Sequence, residues 1–420
     1  MKARRIAVLV AAGIVICLRP VWGAETGYQK KVGVSAATRL DWVYAVSNQS
    51  RASEKLPQYD STKQAYELYV PEDYNANKKW PVILFLSAGD RPAGWKQFQA
   101  VCQKHGILFA SPYGAGNGTE QKKRVRIVLD VLDDLCRRYH TDPDRTYLGG
   151  FSGGARIASA VASALPEYFG GVIGVCASGP TGFPGGIREE TYLQHRVIER
   201  LSVALVTGEN DFNRAEIERW RGPLLQGIGV DVRVWVVKGM GHGIPGGGTL
   251  EEVWQWLEQG VGRRRKFAER YPAMRIDPKN PPTREAWAKM LFDEAQERMK
   301  QRGTFYSGLM QLNGLRQRWP DLPIAKEALK IVVRYDSLEK HFWREYDIAS
   351  QRRFLLSQAR GLASYATGPL PKVYEKERIP IAKAALKRWQ FILQDAGAES
   401  KVGQEAKSRI AELEKLIGEQ

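Results

Sequence analysis

The chain has 420 residues, of which 43% are apolar and 10% aromatic, enough material for more than one cored domain. That composition excludes a disordered chain. The formal net charge of +17 is unevenly placed: residues 1–23 carry four basic and no acidic side chains, residues 264–420 hold 31 Lys and Arg against 20 Asp and Glu, and the part between them is left near +2. The basic character therefore belongs to the C-terminal part and says little about what the remainder binds.

At the N-terminus, Lys2, Arg4 and Arg5 precede an apolar run from Ile6 to Leu18, and Val21-Trp22-Gly23 lies just before Ala24. This is the basic, apolar, small-residue order of a secretory signal peptide, with cleavage expected after Gly23. The run is short for a membrane span, so the mature form is expected to have none; an uncleaved N-terminal anchor is the alternative. Export to a periplasmic or extracellular location follows, and nucleic acid is not an expected partner. Three cysteines would remain (Cys102, Cys136, Cys176), an odd number that allows at most one internal pair. Buried free thiols are the expected state.

From Ala65 to Lys238, short β-rich apolar runs alternate with helical patterns, which argues for an α/β fold: a doubly wound, mostly parallel sheet covered on both faces. The strands are expected at Tyr66 to Val70, Val82 to Ser87, Ile107 to Ser111, Thr146 to Gly149, Val172 to Ala177, Val203 to Thr207 and Val232 to Val237. Helices are expected near Ala93 to Lys104, Glu120 to Tyr139, Gly154 to Leu165, Tyr192 to Leu201, Arg214 to Leu225 and Leu250 to Gln259. The run Arg263-Arg264-Arg265-Lys266 and the prolines at 272, 278, 281 and 282 break the pattern, so a linker is placed at 264–282 between a first domain (24–263) and a second (283–420). The second domain reads as all-α, with amphipathic stretches including Thr283 to Arg302, Ala325 to Tyr335, Leu338 to Tyr365, Ile381 to Leu393 and Lys401 to Ile417. Leu322-Pro323-Ile324-Ala325-Lys326 recurs as Ile379-Pro380-Ile381-Ala382-Lys383, each proline set to open a helix. A helical-hairpin array of tetratricopeptide-like type is the corresponding expectation, although the offset matches no single repeat length.

The chemistry centres on Gly150-Phe151-Ser152-Gly153-Gly154, which lies directly between the strand Thr146-Tyr147-Leu148 and the helix beginning at Ala155. A nucleophile elbow needs such a strand-to-helix turn, tight enough that small residues (Gly150 and Gly154 here) must flank the serine whose hydroxyl it lifts above the sheet. The same five residues could also serve as a plain Gly-rich turn. A serine hydroxyl needs a base, itself oriented by a carboxylate. His105 and His140 precede the serine, His195 lies inside a helix and His341 lies in the second domain. This leaves His242, in Gly241-His242-Gly243 after the last strand. For the acid, Gly208-Glu209-Asn210-Asp211 follows the preceding strand, and Asp211 is favoured over Glu209; a helix N-cap is the alternative role for Asp211. The oxyanion hole is expected from the backbone N–H of Gly153 and from that of Ala88 or Gly89, in the loop after the strand ending near Leu86.

With these three loops in place, residues 65–260 resemble the α/β-hydrolase group that contains feruloyl esterases, polyhydroxyalkanoate depolymerases and prolyl-oligopeptidase-like enzymes. Thr141-Asp142-Pro143-Asp144-Arg145-Thr146-Tyr147-Leu148 leading into Gly150-Phe151-Ser152-Gly153-Gly154 is similar to that group's approach to its elbow. The departure is Ser87-Ala88, where the group usually carries His-Gly. The resemblance implies a serine hydrolase, first of all a carboxylic ester hydrolase acting through an acyl-enzyme on Ser152. A peptidase of prolyl-oligopeptidase type and a non-catalytic binding scaffold are the alternatives. The short stretch Ser178 to Gly186 offers no lipase-style lid, and an open cleft suits a small or polymer-linked ester. Trp95, Tyr113 and Phe183 could line it, though aromatics in such loops more often pack. No metal cluster, nucleotide loop or cofactor motif appears in the sequence, so neither metal nor cofactor is expected. The basic helices suggest a protein or anionic-polymer partner.

Overall fold

The computed structural model describes residues 25–47, 50, 54–178, 191–336 and 341–419. Eight strands form one sheet: β1 Gly27–Gly33, β2 Ala65–Val70, β3 Trp80–Leu86, β4 Leu108–Pro112, β5 Thr141–Phe151, β6 Gly171–Val175, β7 Ser202–Gly208 and β8 Asp231–Val237. Their spatial order is β1-β2-β4-β3-β5-β6-β7-β8, antiparallel at β1/β2 and β2/β4 and parallel from there on. Around the sheet run α1 Trp95–His105, α2 Gln121–Arg138, α3 Gly153–Ala164, α4 Thr191–Arg200, α5 Gly222–Gly227, α6 Gly247–Gln259 and α7 Val261–Arg270. A π-helical turn, Glu216–Arg221, leads into α5.

Burial on both faces follows from alternation along each strand. Val82, Leu84 and Leu86 of β3, Leu148 of β5 and Leu205 of β7 point into one core with Ile127 and Leu132 of α2 and Ile157 and Val161 of α3. The intervening Ile83, Phe85, Tyr147, Ile173 and Val206 point into the other, with Phe98 of α1 and Leu250 and Trp254 of α6. Each fully buried aliphatic side chain in these layers contributes about 1.5–3 kcal/mol. Cys136 and Cys102 fall in opposite cores, and Cys102, Cys136 and Cys176 are all buried and free.

Two elements around the sheet depart from the sequence-based expectation. Strand β1 was not anticipated, because its residues alternate only between half-buried and exposed and it pairs on one side alone, leaving a weak apolar signal. The arginine run that was expected to break the pattern at 264–282 is instead helical through Arg270, and Arg264 is completely buried. Its guanidinium donates to the carbonyls of Asp144 (2.8 Å) and Leu257 (3.0 Å), to Ser202 Oγ (3.0 Å) and to the Tyr147 hydroxyl (2.9 Å). Arg265 pairs with Asp142, and Arg275 with Asp144, so this stretch is stitched to the start of β5.

The C-terminal helices are α8 Arg284–Met299, α9 Arg302–Arg318, α10 Pro323–Asp336, α11 Arg344–Thr367, α12 Arg378–Ala396 and α13 Lys401–Gly418. Helix α9 was missed between the expected stretches, while Pro323 opens α10 as its spacing implied and Pro380 stands in the first turn of α12. Successive helices pack on one another, α8 on α9, α9 on α10, α11 on α12 and α12 on α13. The sheet's core continues into them through Trp287, Leu291, Leu312 and Trp319. Part of the basic charge lies inside: Arg318 reaches Asp41 and Glu167, and Arg298 reaches Glu199 and Glu294.

Candidate active site

Ser152 follows the C-terminal end of β5 as the N-cap residue of α3, at φ 54° and ψ −120°. A non-glycine residue with positive φ is held there only by its surroundings. Its N–H donates to the Val175 carbonyl at 2.8 Å, which anchors the turn to β6, and its carbonyl accepts from the Arg156 N–H. The small neighbours are required by contact: a Cβ at position 154 would overlap the Leu86 carbonyl, and one at position 150 the backbone of Gly154. Such a turn leaves the serine side chain half-exposed above the carboxyl edge of the sheet.

His242 and Asp211 meet beside this turn. Asp211 Oδ1 lies 2.7 Å from His242 Nδ1. The same oxygen accepts from the Asn213 N–H at 3.0 Å, and Oδ2 accepts from Thr207 Oγ1 at 2.7 Å. Asp211 is only 5% exposed, and both its oxygens are supplied with hydrogen-bond partners in that buried setting. The N-cap alternative is partly realised, since the Asp211–Asn213 contact is a local side-chain turn, and it coexists with the histidine contact. Glu209 is used elsewhere: its carboxylate accepts from the Gly239 N–H at 2.9 Å.

The imidazole has two aromatic neighbours. Phe151, next to the serine, brings its ring to 4.9 Å, and Phe212 stacks at 4.0 Å with an interplanar angle of 26°. These two ring contacts limit rotation of the imidazole. Cys176 completes this neighbourhood: its thiol, the Asp211 carboxylate and a His242 ring nitrogen lie within 4.8 Å of one another, and Sγ donates to the Gly243 carbonyl. Burial raises the thiol to about 12, and the Asp211 carboxylate pushes the same way.

On the oxyanion side, Gly153 is the first residue of α3, where backbone N–H groups have no partner within the helix. In the facing loop, the Gly89 N–H donates to Ser87 Oγ at 3.0 Å, which leaves Ala88 as the better-placed donor of the two. That loop is held from outside, since Asn117 N–H donates to the Ala88 carbonyl, and Arg124 reaches both the Ala115 and Gly153 carbonyls. Asn117 also lays its carboxamide against Gly153. Neither Asn117 nor Arg124 carries a sequence signal, because both act by contact across separate loops.

Trp95 and Tyr113 are drawn into packing at the sheet edge. Trp95 stacks between Tyr28 (5.1 Å) and Tyr69 (4.6 Å), and the Tyr113 hydroxyl donates to the Lys30 carbonyl at 2.9 Å. Phe183, most of the short stretch that contains it and the N-terminal signal-like segment lie outside the described residues. Among the described residues no helix is long and apolar enough to cross a membrane.

No protein-family model matches the chain, and no curated protein does. Solved structures that resemble it include a thermostable esterase at 22% identity and TM-score 0.36, with 49% of this chain aligned to 61% of that one. The S-formylglutathione hydrolase of Staphylococcus aureus aligns at 12% identity and TM-score 0.36, over 48% of this chain and 94% of its own. A puromycin-hydrolysing peptidase of Mycobacterium tuberculosis aligns at 15% and 0.33, over 52% and 40%. The chain thus spans only part of the esterase and of the peptidase. Its own sheet order, with a serine turn after β5, an acidic loop after β7 and a histidine loop after β8, is the α/β-hydrolase arrangement.

Proposed function

We propose that this protein is a serine hydrolase that cleaves carboxylic esters through an acyl-enzyme on Ser152. The observation that carries the reading is the Asp211–His242 contact of 2.7 Å beside a serine held at positive φ in a strand-to-helix turn. In this scheme Ser152 Oγ attacks the acyl carbon while its proton passes to His242 Nε2. The imidazolium so formed is stabilised by the buried Asp211 carboxylate and by the stacked face of Phe212. The N–H groups of Gly153 and Ala88 hold the negative oxygen. The tetrahedral adduct expels the alcohol, which takes the proton from Nε2, and water repeats the sequence to release the acid and free Ser152.

The N-terminal order of basic, apolar and small residues supports export of the mature enzyme, and the C-terminal helices would face a partner outside the cytoplasm. A fluorophosphonate probe tests the chemistry. Wild-type protein should be labelled and Ser152→Ala should not; folded wild-type protein that resists labelling refutes the reading. A p-nitrophenyl ester series set against peptide p-nitroanilides then separates esterase from peptidase.

A further inference from the structure

The C-terminal helices do not merely follow the sheet; they reach its acidic loop. A short 3-10 segment, Lys372–Glu377, projects from between α11 and α12, and the hydroxyl of its Tyr374 donates to Asn213 Oδ1 at 2.7 Å. Asn213 is 3% exposed and makes two further links: Nδ2 donates to the Cys176 carbonyl at 2.7 Å, and the backbone N–H donates to Asp211 Oδ1 at 3.0 Å. That carboxylate oxygen is the one facing His242 Nδ1. One residue therefore joins the helical layer, the end of β6 and the acid of the site. The Tyr374 ring also lies 6.3 Å from Phe212, whose ring stacks on the imidazole.

We propose that Tyr374 is a positioning residue of the hydrolytic site, holding the Asp211–His242 pair in register through Asn213, so that the helical layer completes the active site. The inference rests on the serine hydrolase reading above.

Three observations make a fixed position credible. Helix α11 docks on the π-helical turn that follows the acid loop: Gly361 packs against Trp220, where a Cβ would come within 2.8 Å of the indole, and Trp220 meets Tyr365 at 5.7 Å. Glu216 of that turn binds Arg156 of α3, four residues beyond Ser152, and Arg221, so the nucleophile helix is tied into the same unit. Burial raises the Tyr374 phenol above its ordinary value, and Glu216 adds to this while Arg156 opposes it. The hydroxyl therefore remains a donor. Asn213, with its Nδ2 committed to a carbonyl, has an oxygen that needs one.

The test uses the full chain. In Tyr374→Phe, the ring contact with Phe212 is kept and only the donor is lost. We expect kcat on a p-nitrophenyl ester to fall about tenfold with KM unchanged, as misplacement of a base does. The acid limb of the pH–rate profile should move, and the low-field proton resonance of His242 Nδ1–H, identified by its absence in His242→Gln, should shift. The ionisable groups facing Tyr374 include Glu216, Arg156, Tyr365, Glu377 and Asp211. Val373→Ala, an exposed change on the same segment, controls for local disturbance and should leave all three readouts alone. If wild type is labelled at Ser152 yet Tyr374→Phe keeps the kcat, the pH midpoint and the resonance, the positioning role is overturned. If wild type is not labelled but the resonance still shifts in Tyr374→Phe, the hydrolase reading fails and the coupling stands. If Tyr374→Phe does not fold, Asn213→Ala must give the same split of kcat from KM and the same resonance shift for the proposal to survive.

Discussion

Ser152 should be more stable as glycine than as alanine, the reverse of the usual order. Both substitutions remove Oγ, so their difference isolates the backbone. At φ 54° and ψ −120° a residue with a Cβ is strained, typically by about 1–3 kcal/mol, and alanine keeps that strain while glycine loses it. Against this, glycine costs about 0.5–1 kcal/mol more unfolded-chain entropy. The balance favours Ser152→Gly over Ser152→Ala by about 1 kcal/mol, a shift of about 1–2 °C in a melting temperature for a chain of this size. Thermal melts of the two variants side by side, monitored by circular dichroism, measure it, with fluorophosphonate labelling confirming that both are silent. An alanine variant as stable as the glycine variant, or more so, would show that the turn is not strained and would remove one ground for reading it as an elbow.

Other expectations concern packing and pH. Gly154→Ala should cost more than about 3 kcal/mol and give little soluble protein, because the new methyl overlaps a backbone carbonyl of β3 that cannot swing away; a normal yield and melting temperature would contradict the model of the turn. Arg264→Ala should destabilise by about 3 kcal/mol, since two carbonyls, Ser202 and the Tyr147 hydroxyl lose their buried donor, and chemical denaturation would measure it. Burial pushes the His195 imidazole down to about 4, and the Arg298 and Arg353 charges act the same way. The unfolded chain then binds the extra proton, so the contribution is whole above about pH 6.5 and disappears as pH falls towards 4, a loss of about 2–3 kcal/mol. A His195→Gln protein whose melting temperature falls as steeply as wild type over that range would refute this. At Asp144, burial works to raise the carboxyl, but Arg200 and Arg275 outweigh it and hold it below the usual range. Its stabilisation is present above the ordinary carboxyl value of about 4 and fades as pH falls below it, so Asp144→Asn should flatten the acid end of the stability curve.

The strands and helices from residue 65 to 259 were legible because each buries one or both faces, which writes a period of two or of 3.6 into the sequence. What failed to register was β1, paired on one edge, α9, and α7, whose single buried charge, Arg264, is held by hydrogen bonds to carbonyls and hydroxyls. Arg264, Arg298 and Arg318 look like solvated charge in a sequence and are interior groups in the fold. Counting charge therefore overstated how basic a surface the helices present.

Ser152, His242 and Asp211 stood out in the sequence because an elbow needs glycines at fixed offsets and because the order of strands dictates where base and acid loops fall. Such local constraints leave local marks. Only the tertiary structure set Asp211, and not Glu209, against His242, brought the rings of Phe212 and Phe151 close to the imidazole, and brought Tyr374 to an asparagine 161 residues away. Contacts of that kind depend on how layers dock, and docking is set by the sum of many buried side chains, none of which records its distant partner in its own neighbourhood of the chain.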